Sequence, residues 1–157
     1  MKRTLSVFLA TATALALLVL APAAKKAIPS ISVVHAQSGC TDATLTGNYG
    51  FSDSGFVSNN RTGSGNEVPL SAVGVLTFDG AGNASISYTV ADNGTILTNV
   101  TGSGTYAVDS GCAGSISFTS GAAAGITFNI VTVGGGTEVL GIPTVTGTTQ
   151  TLDAKKQ

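Results

Sequence analysis

The chain has 157 residues, 10% of them charged, a length that suits one domain. Beyond residue 36, three basic residues stand against all eight acidic ones, so this part carries a formal charge of −5. That balance excludes the many Lys–phosphate contacts on which nucleic-acid affinity rests, and it disfavours an anionic membrane surface as a partner.

The N-terminus has the pattern of a secretory signal peptide. Two basic residues precede an uncharged, largely apolar run over 4–24. Small residues offer one cleavage site after Ala23 and another after Ala36, and we predict the second because the globular pattern begins there. We therefore expect a cleaved signal peptide at 1–36. A single domain at 37–157 would then be secreted, periplasmic or on the cell surface, with no membrane attachment after cleavage.

The two cysteines, Cys40 and Cys112, predict one disulfide, because an exported chain with an even cysteine count is usually oxidised. A lipid-modified Cys40 is disfavoured, since Gln37 stands where an aliphatic residue is needed. Cleavage after Ala36 removes His35, the only histidine. The mature chain then lacks the usual ligands of zinc, and we expect no metal and no cofactor.

Beyond residue 40, apolar residues alternate with Ser, Thr and Gly, the period-2 pattern of half-buried strands. Short turn signals separate the segments, so neighbours in sequence should pair as hairpins. We predict an all-β fold, an eight-stranded antiparallel meander closed into a barrel, with a β-sandwich as the alternative. The predicted strands cover residues 47–53, 70–79, 83–91, 95–109, 113–120, 125–133, 137–145 and 148–156.

Two connections deserve separate interpretations. The segment Asp79–Asn83 places Asp, Gly and Asn between two alternating runs, which is typical of a hairpin turn. A calcium site is disfavoured there, because the loop has one carboxylate and Ca²⁺ takes six to eight oxygen ligands. The polar segment Val57–Pro69 is the one long connection, and we expect it to cross one end of the barrel and to be the likelier functional loop.

The barrel interior supplies the candidate ligand-binding residues. Tyr88 and Tyr106 fall at inward positions, where an aromatic ring with one polar atom suits a mostly apolar ligand. The alternative interpretation is that both are core aromatics with satisfied hydroxyls. The residues expected to face inward are Phe78, Ile86, Tyr88, Val90, Tyr106, Val108, Ile116, Phe118, Ile126, Phe128 and Ile130.

Two segments, "LTGNYGFSDSG" at 45–55 and "GSGTYAVDSG" at 102–111, share a Gly-x-Tyr followed by Asp-Ser-Gly. Together with "VGVLTFDGAGN" and "YAVDSGCAGSISF", this pattern resembles a family of secreted bacterial β-proteins with no known activity. The resemblance covers most of residues 40–130. It implies secretion and no particular chemistry.

The layout also resembles, more distantly, the calycin superfamily of lipocalins and avidins. Those barrels open with Gly-x-Trp and close with a cation on the last strand. Here Gly47-Asn48-Tyr49 stands at the opening position and Lys155 or Lys156 at the closing one, but the chain has no tryptophan. The alternative is that Tyr49 is simply a core aromatic at the start of a strand.

Without a histidine the mature chain cannot build a Ser-His-Asp or Cys-His site, so we predict no catalytic residues. The function that the sequence favours is an exported, non-enzymatic barrel, with a small, mostly apolar molecule as one option for its interior. The alternative is a structural or adhesive surface or matrix protein, in which the C-terminal strand could pair with another copy if the sheet stayed open. A carboxylate-based enzyme is the least favoured, because the acidic residues fall mostly in turns and are expected on the solvated surface.

The oligomeric state is not predicted.

Overall fold

A computed structural model of the protein describes residues 39–58 and 65–157, which form an all-β domain. The predicted signal peptide and both cleavage sites lie outside the described residues. In this part of the chain no helix is long and apolar enough to cross a membrane. The eight strands are β1 (Thr46–Ser58), β2 (Glu67–Asp79), β3 (Asn83–Asp92), β4 (Thr95–Val108), β5 (Ala113–Gly121), β6 (Thr127–Val133), β7 (Glu138–Pro143) and β8 (Thr148–Lys156).

Every strand pairs antiparallel with the next, and β8 returns to β1, so the predicted closed barrel is confirmed over the sandwich. The closing seam runs from the pair Tyr49 and Lys156 to the pair Val57 and Thr148. Because β8 also pairs with β7, it has a partner on both sides. The C-terminal strand could serve as a free edge only in an open sheet, and the closed barrel does not meet that condition.

Strand β1 continues to Ser58, five residues beyond its predicted end, because it keeps pairing with both β2 and β8. Strand β4 is one long strand whose register shifts twice, once opposite Tyr88–Val90 and once at Ser103/Gly104. At the second shift, Gly104 approaches the next strand so closely that a Cβ would lie 1.9 Å from the carbonyl oxygen of Ser117.

All eleven residues expected inside the barrel face its interior. Eight are buried, and Ile86, Tyr88 and Ile126 are half-buried and pack against the core. At one end the core is built from aromatic rings. The ring centroid of Phe78 lies 5.3 Å from that of Tyr49 and 4.8 Å from that of Tyr106, both in edge-to-face geometry.

Residues 40–45 cover this end of the barrel, which we call the plugged end. The disulfide between Cys40 and Cys112 joins the segment to the turn after β4, with 5.1 Å between the two Cα atoms. Leu45, the last residue of this segment, is fully buried. The backbone N–H of Val108 donates to the carboxylate of Asp42 over 2.7 Å. The disulfide predicted from sequence therefore fixes a plug on the barrel core.

Candidate functional site

The half of the barrel away from the plug contains a cavity of about 290 Å³. Its walls come from the inward faces of the strands, and the β5–β6 and β7–β8 connections form its outer part. We call this the cavity end. Ser58 and Glu67, the flanks of the long β1–β2 connection, lie at the same end. Within that connection, residues 59–64 lie outside the described residues. The lining includes six large apolar side chains, those of Phe51, Leu76, Ile86, Val90, Phe118 and Phe128.

Tyr88 lines this cavity, and its ring centroid lies 6.2 Å from that of Phe51. Across the β2–β3 pair, Tyr88 lies opposite Gly74. A Cβ on Gly74 would approach the Tyr88 Cβ to 2.5 Å and the carbonyl oxygen of Ser87 to 2.2 Å, so the two strands meet here only because residue 74 has no side chain. The absence of a side chain at Gly74 therefore allows Tyr88 to take its position in the cavity wall.

Tyr106, the second candidate, lies at the plugged end and is not among the residues that line the cavity. Its hydroxyl is 2.7 Å from the carbonyl oxygen of Asp42 and 3.0 Å from that of Leu45. Burial raises the pKa of this phenol above its usual range. The structure therefore separates the two tyrosines: Tyr88 stands in the cavity wall, and Tyr106 has the satisfied hydroxyl of a core aromatic.

Asp53 supplies the cavity with a buried carboxyl group. The residue is 8% exposed and lies between Ala72 of β2 and Leu152 of β8, which are both buried and apolar. Burial raises the pKa of Asp53 to about 6, and the backbone N–H of Ser54 only partly offsets that rise. Within the described residues, its Oδ1 has no hydrogen-bond partner. An acid in this setting is costly to ionise unless something else pairs with it.

The remaining polar side chains of the lining come from β8 and β3. Thr148 and Gln150 precede Leu152 on the inward face of β8, and Gln150 lies opposite Gly55 of β1. The Thr148 hydroxyl donates to the carbonyl oxygen of Val145 over 2.6 Å. Asp92 lines the cavity from β3. The site is thus an apolar chamber whose polar groups include two acids and, within the described lining, no base.

The burial of Asp53 corrects the expectation that the acidic residues lie on the solvated surface. The signal was present in the sequence. Tyr49 and Phe51 are both inward, and the period-2 rule places Asp53 on the same face. The predicted strand ends at this residue, and Asp53 is not among the residues expected to face inward. Since Asp53 and Asp92 share one cavity, they are the carboxylates on which the enzyme alternative would depend.

The segment Asp79–Asn83 is a hairpin turn closed by its own acid. One carboxylate oxygen of Asp79 accepts from the backbone N–H groups of Ala81 and Asn83, over 2.8 and 2.9 Å. The other accepts from the Asn83 side chain over 2.6 Å. These hydrogen bonds lower the pKa of Asp79. Among the described residues no group of three His, Cys, Asp or Glu side chains is placed to hold a metal ion.

At the barrel seam, the Nζ of Lys156 lies 6.0 Å from the ring centroid of Tyr49 and donates to the Thr46 hydroxyl over 3.2 Å. The other lysine, Lys155, pairs with Glu138 and Asp153 on the outer surface. Comparison of the chain with protein-family models, curated proteins and solved structures gave no match. The secreted family and the calycin-like layout therefore remain expectations drawn from sequence motifs.

Proposed function

We propose that the protein is an exported carrier or receptor that binds one small, mostly apolar molecule inside its barrel. The observation that carries this proposal is the cavity of about 290 Å³ beside Tyr88 and Asp53. Binding sites of this kind are mostly apolar, with a few polar groups that orient the ligand. The aliphatic and aromatic lining would supply affinity, and the carboxyl of Asp53 would supply orientation.

The size of the cavity limits the ligand. An engineered protein cavity of about 150 Å³ binds benzene, and pockets for drug-sized molecules span about 300–1,000 Å³. A cavity of about 290 Å³ therefore suits a molecule larger than benzene and at the small end of drug size. The Cys40–Cys112 disulfide supports an oxidising compartment, and hence a ligand met outside the cytoplasm.

The proposal is tested by calorimetric titration of the purified protein with hexan-1-ol, an apolar chain with one polar end. A matched pair of variants uses neighbouring residues on opposite faces of β2. Ala72 is buried and lines the cavity, whereas Val73 is outward and 61% exposed. We expect Ala72→Phe to fill the cavity and weaken binding by about tenfold or more, and Val73→Phe to leave it unchanged. If both variants bind hexan-1-ol as the wild-type protein does, or if the wild-type protein binds neither hexan-1-ol nor the amine and acid of the same chain length, the proposal is wrong.

A surface or matrix role is the second candidate, and one observation favours it. The outer faces of β6 and β7 carry large apolar side chains that are exposed, including Val131, Leu140 and Ile142. Val131 and Leu140 are paired across the two strands, so their side chains form one strip. This role predicts assembly that depends on concentration. Sedimentation velocity of the wild-type protein beside Leu140→Lys tests it, since the lysine would abolish such assembly.

A further inference from the structure

We propose that the ligand is a small apolar amine, whose ammonium group pairs with the carboxylate of Asp53 inside the barrel. This inference rests on the proposed function and names the ligand's polar group. It starts from the geometry of one residue. Asp53 lines the cavity, is more than nine-tenths buried, and keeps an Oδ1 that no described residue hydrogen-bonds. A buried carboxyl oxygen without a hydrogen-bond partner is rare in proteins and calls for a physical explanation.

The groups around Asp53 give it no counter-ion among the described residues. On the strands that flank it, β2 presents Ala72 and β8 presents Leu152 and Gln150. The other titratable groups in the lining are Asp92 and Tyr88, both on β3. Neither can neutralise a carboxylate. The described lysines lie at the opposite, plugged end, where Lys155 pairs with surface acids and Lys156 lies near Tyr49.

The negative charge of ionised Asp53 favours some polar groups over others in ligands that share the same apolar part. A fatty acid would bring a second carboxylate beside Asp53, and like charges in a low-dielectric space repel strongly. An alcohol could hydrogen-bond to Asp53 but would not neutralise it. An ammonium group does both, because it donates hydrogen bonds and carries the opposite charge, and charge-assisted hydrogen bonds are about twice as strong as neutral ones. The excess of acidic residues in the domain would also attract cations to it.

The raised pKa of Asp53 agrees with this assignment and gives it a pH dependence. An empty cavity leaves the carboxyl half protonated near pH 6, whereas a bound ammonium group favours its ionised form. Alkylamines resemble lysine and stay charged throughout this range. Amine affinity should therefore be highest above about pH 7 and about tenfold lower near pH 5, whereas the affinity for an alcohol should change little.

The test compares hexylamine, hexan-1-ol and hexanoic acid by calorimetry at about 0.15 M salt, which screens contacts with the outer surface. We expect hexylamine to bind about tenfold or more tightly than hexan-1-ol, and hexanoic acid to bind more weakly than either. Asp53→Asn should remove the preference for the amine and leave the alcohol bound. The matched control is Asp153→Asn, which removes the same charge from β8 on the outward face, opposite Ser52. It should alter no affinity by more than about twofold.

The possible failures are distinct. If hexan-1-ol binds as tightly as hexylamine, or if hexanoic acid binds best, the amine assignment is overturned while the proposed carrier function stands. If the amine preference survives in Asp53→Asn, the pairing with Asp53 is overturned. If none of the three compounds binds the wild-type protein, the proposed function fails together with the inference.

Discussion

Asp53 lies directly opposite Leu152 across the seam at which β1 and β8 close the barrel. On its other side it lies opposite Ala72, so a carboxyl group is held between two buried apolar residues. This arrangement explains why the pKa of Asp53 rises to about 6, since burial disfavours the charged form. It also means that the ionised carboxyl of Asp53 lowers the stability of the empty barrel at neutral pH.

The first prediction concerns that loss of stability. Because the pKa of Asp53 is higher in the folded protein than its usual value of 3.8, the folded state binds more protons than the unfolded state between about pH 4 and pH 6. The contribution of Asp53 to stability therefore falls as pH rises through this window. We expect Asp53→Asn to be more stable than the wild-type protein by about 1–2 kcal/mol above pH 6. The gain should vanish towards pH 4.

Urea unfolding of both proteins at several pH values measures this difference. Asp153→Asn serves as control, because its carboxylate lies near Lys155 on the outer surface and should give about 0–1 kcal/mol at all pH values. A wild-type protein that is more stable than Asp53→Asn at neutral pH would show that a partner already compensates the carboxyl of Asp53.

The second prediction concerns the close approach of β2 and β3 beside the cavity. A Cβ at Gly74 would meet the Ser87 carbonyl oxygen at 2.2 Å, an atom of the backbone that cannot move aside cheaply. Gly74→Ala should therefore lower the free energy of unfolding by about 2–3 kcal/mol. Gly50→Ala is the control, since the nearest atom there belongs to the side chain of Gln157 at 3.1 Å. Thermal unfolding that is equal for the two variants would contradict the predicted clash.

The third prediction separates the two candidate tyrosines. Tyr106→Phe removes the hydroxyl that lies within hydrogen-bonding distance of the carbonyl oxygens of Asp42 and Leu45. We expect a loss of about 1–2 kcal/mol in unfolding experiments, with hexan-1-ol affinity unchanged within about twofold. The affinity should hold because Tyr106 is not part of the described cavity lining. A weakened affinity with unchanged stability would instead place Tyr106 in the binding site.

The fourth prediction concerns the plug. The disulfide links residues 72 positions apart, so it restricts the unfolded chain strongly. The double variant Cys40→Ser/Cys112→Ser should lose about 3–5 kcal/mol of stability. Wild-type protein unfolded in the presence of a reductant should show a similar loss, which controls for the serine side chains. Unfolding midpoints that are unchanged by both treatments would mean that the covalent link adds nothing to the plug.

Much of the barrel could be predicted from alternation alone. The boundaries of β8 were predicted correctly at 148–156, because Gly147 marks a turn before it and polar residues alternate with Leu152 and Ala154 in its second half. All residues expected inside the barrel do face inward. The end of β1 was not predicted, since Ser54 and Gly55 resemble a turn. Only pairing with two neighbouring strands keeps this segment extended.

The candidate site was harder to predict than the fold. Its acid, Asp53, was missed because a charged residue in an alternating pattern is usually the one that faces water. Tyr88 and Tyr106 differ in role because residues 40–45 cover only one end of the barrel. The alternation of polar and apolar residues does not indicate which end is covered. The cavity itself is the space left after side chains of particular sizes have packed, and it is set partly by Gly74 opposite Tyr88.

The most direct test of the central claim is a methyl NMR titration of the protein with benzene. Leu76, Ile86 and Val90 line the cavity, whereas Val131 and Leu140 lie on the outer surface. We expect the methyl signals of the first group to shift in a saturable way and those of the second group to stay in place. Unchanged signals in the cavity lining, or equal shifts inside and outside the barrel, would contradict a ligand-binding interior.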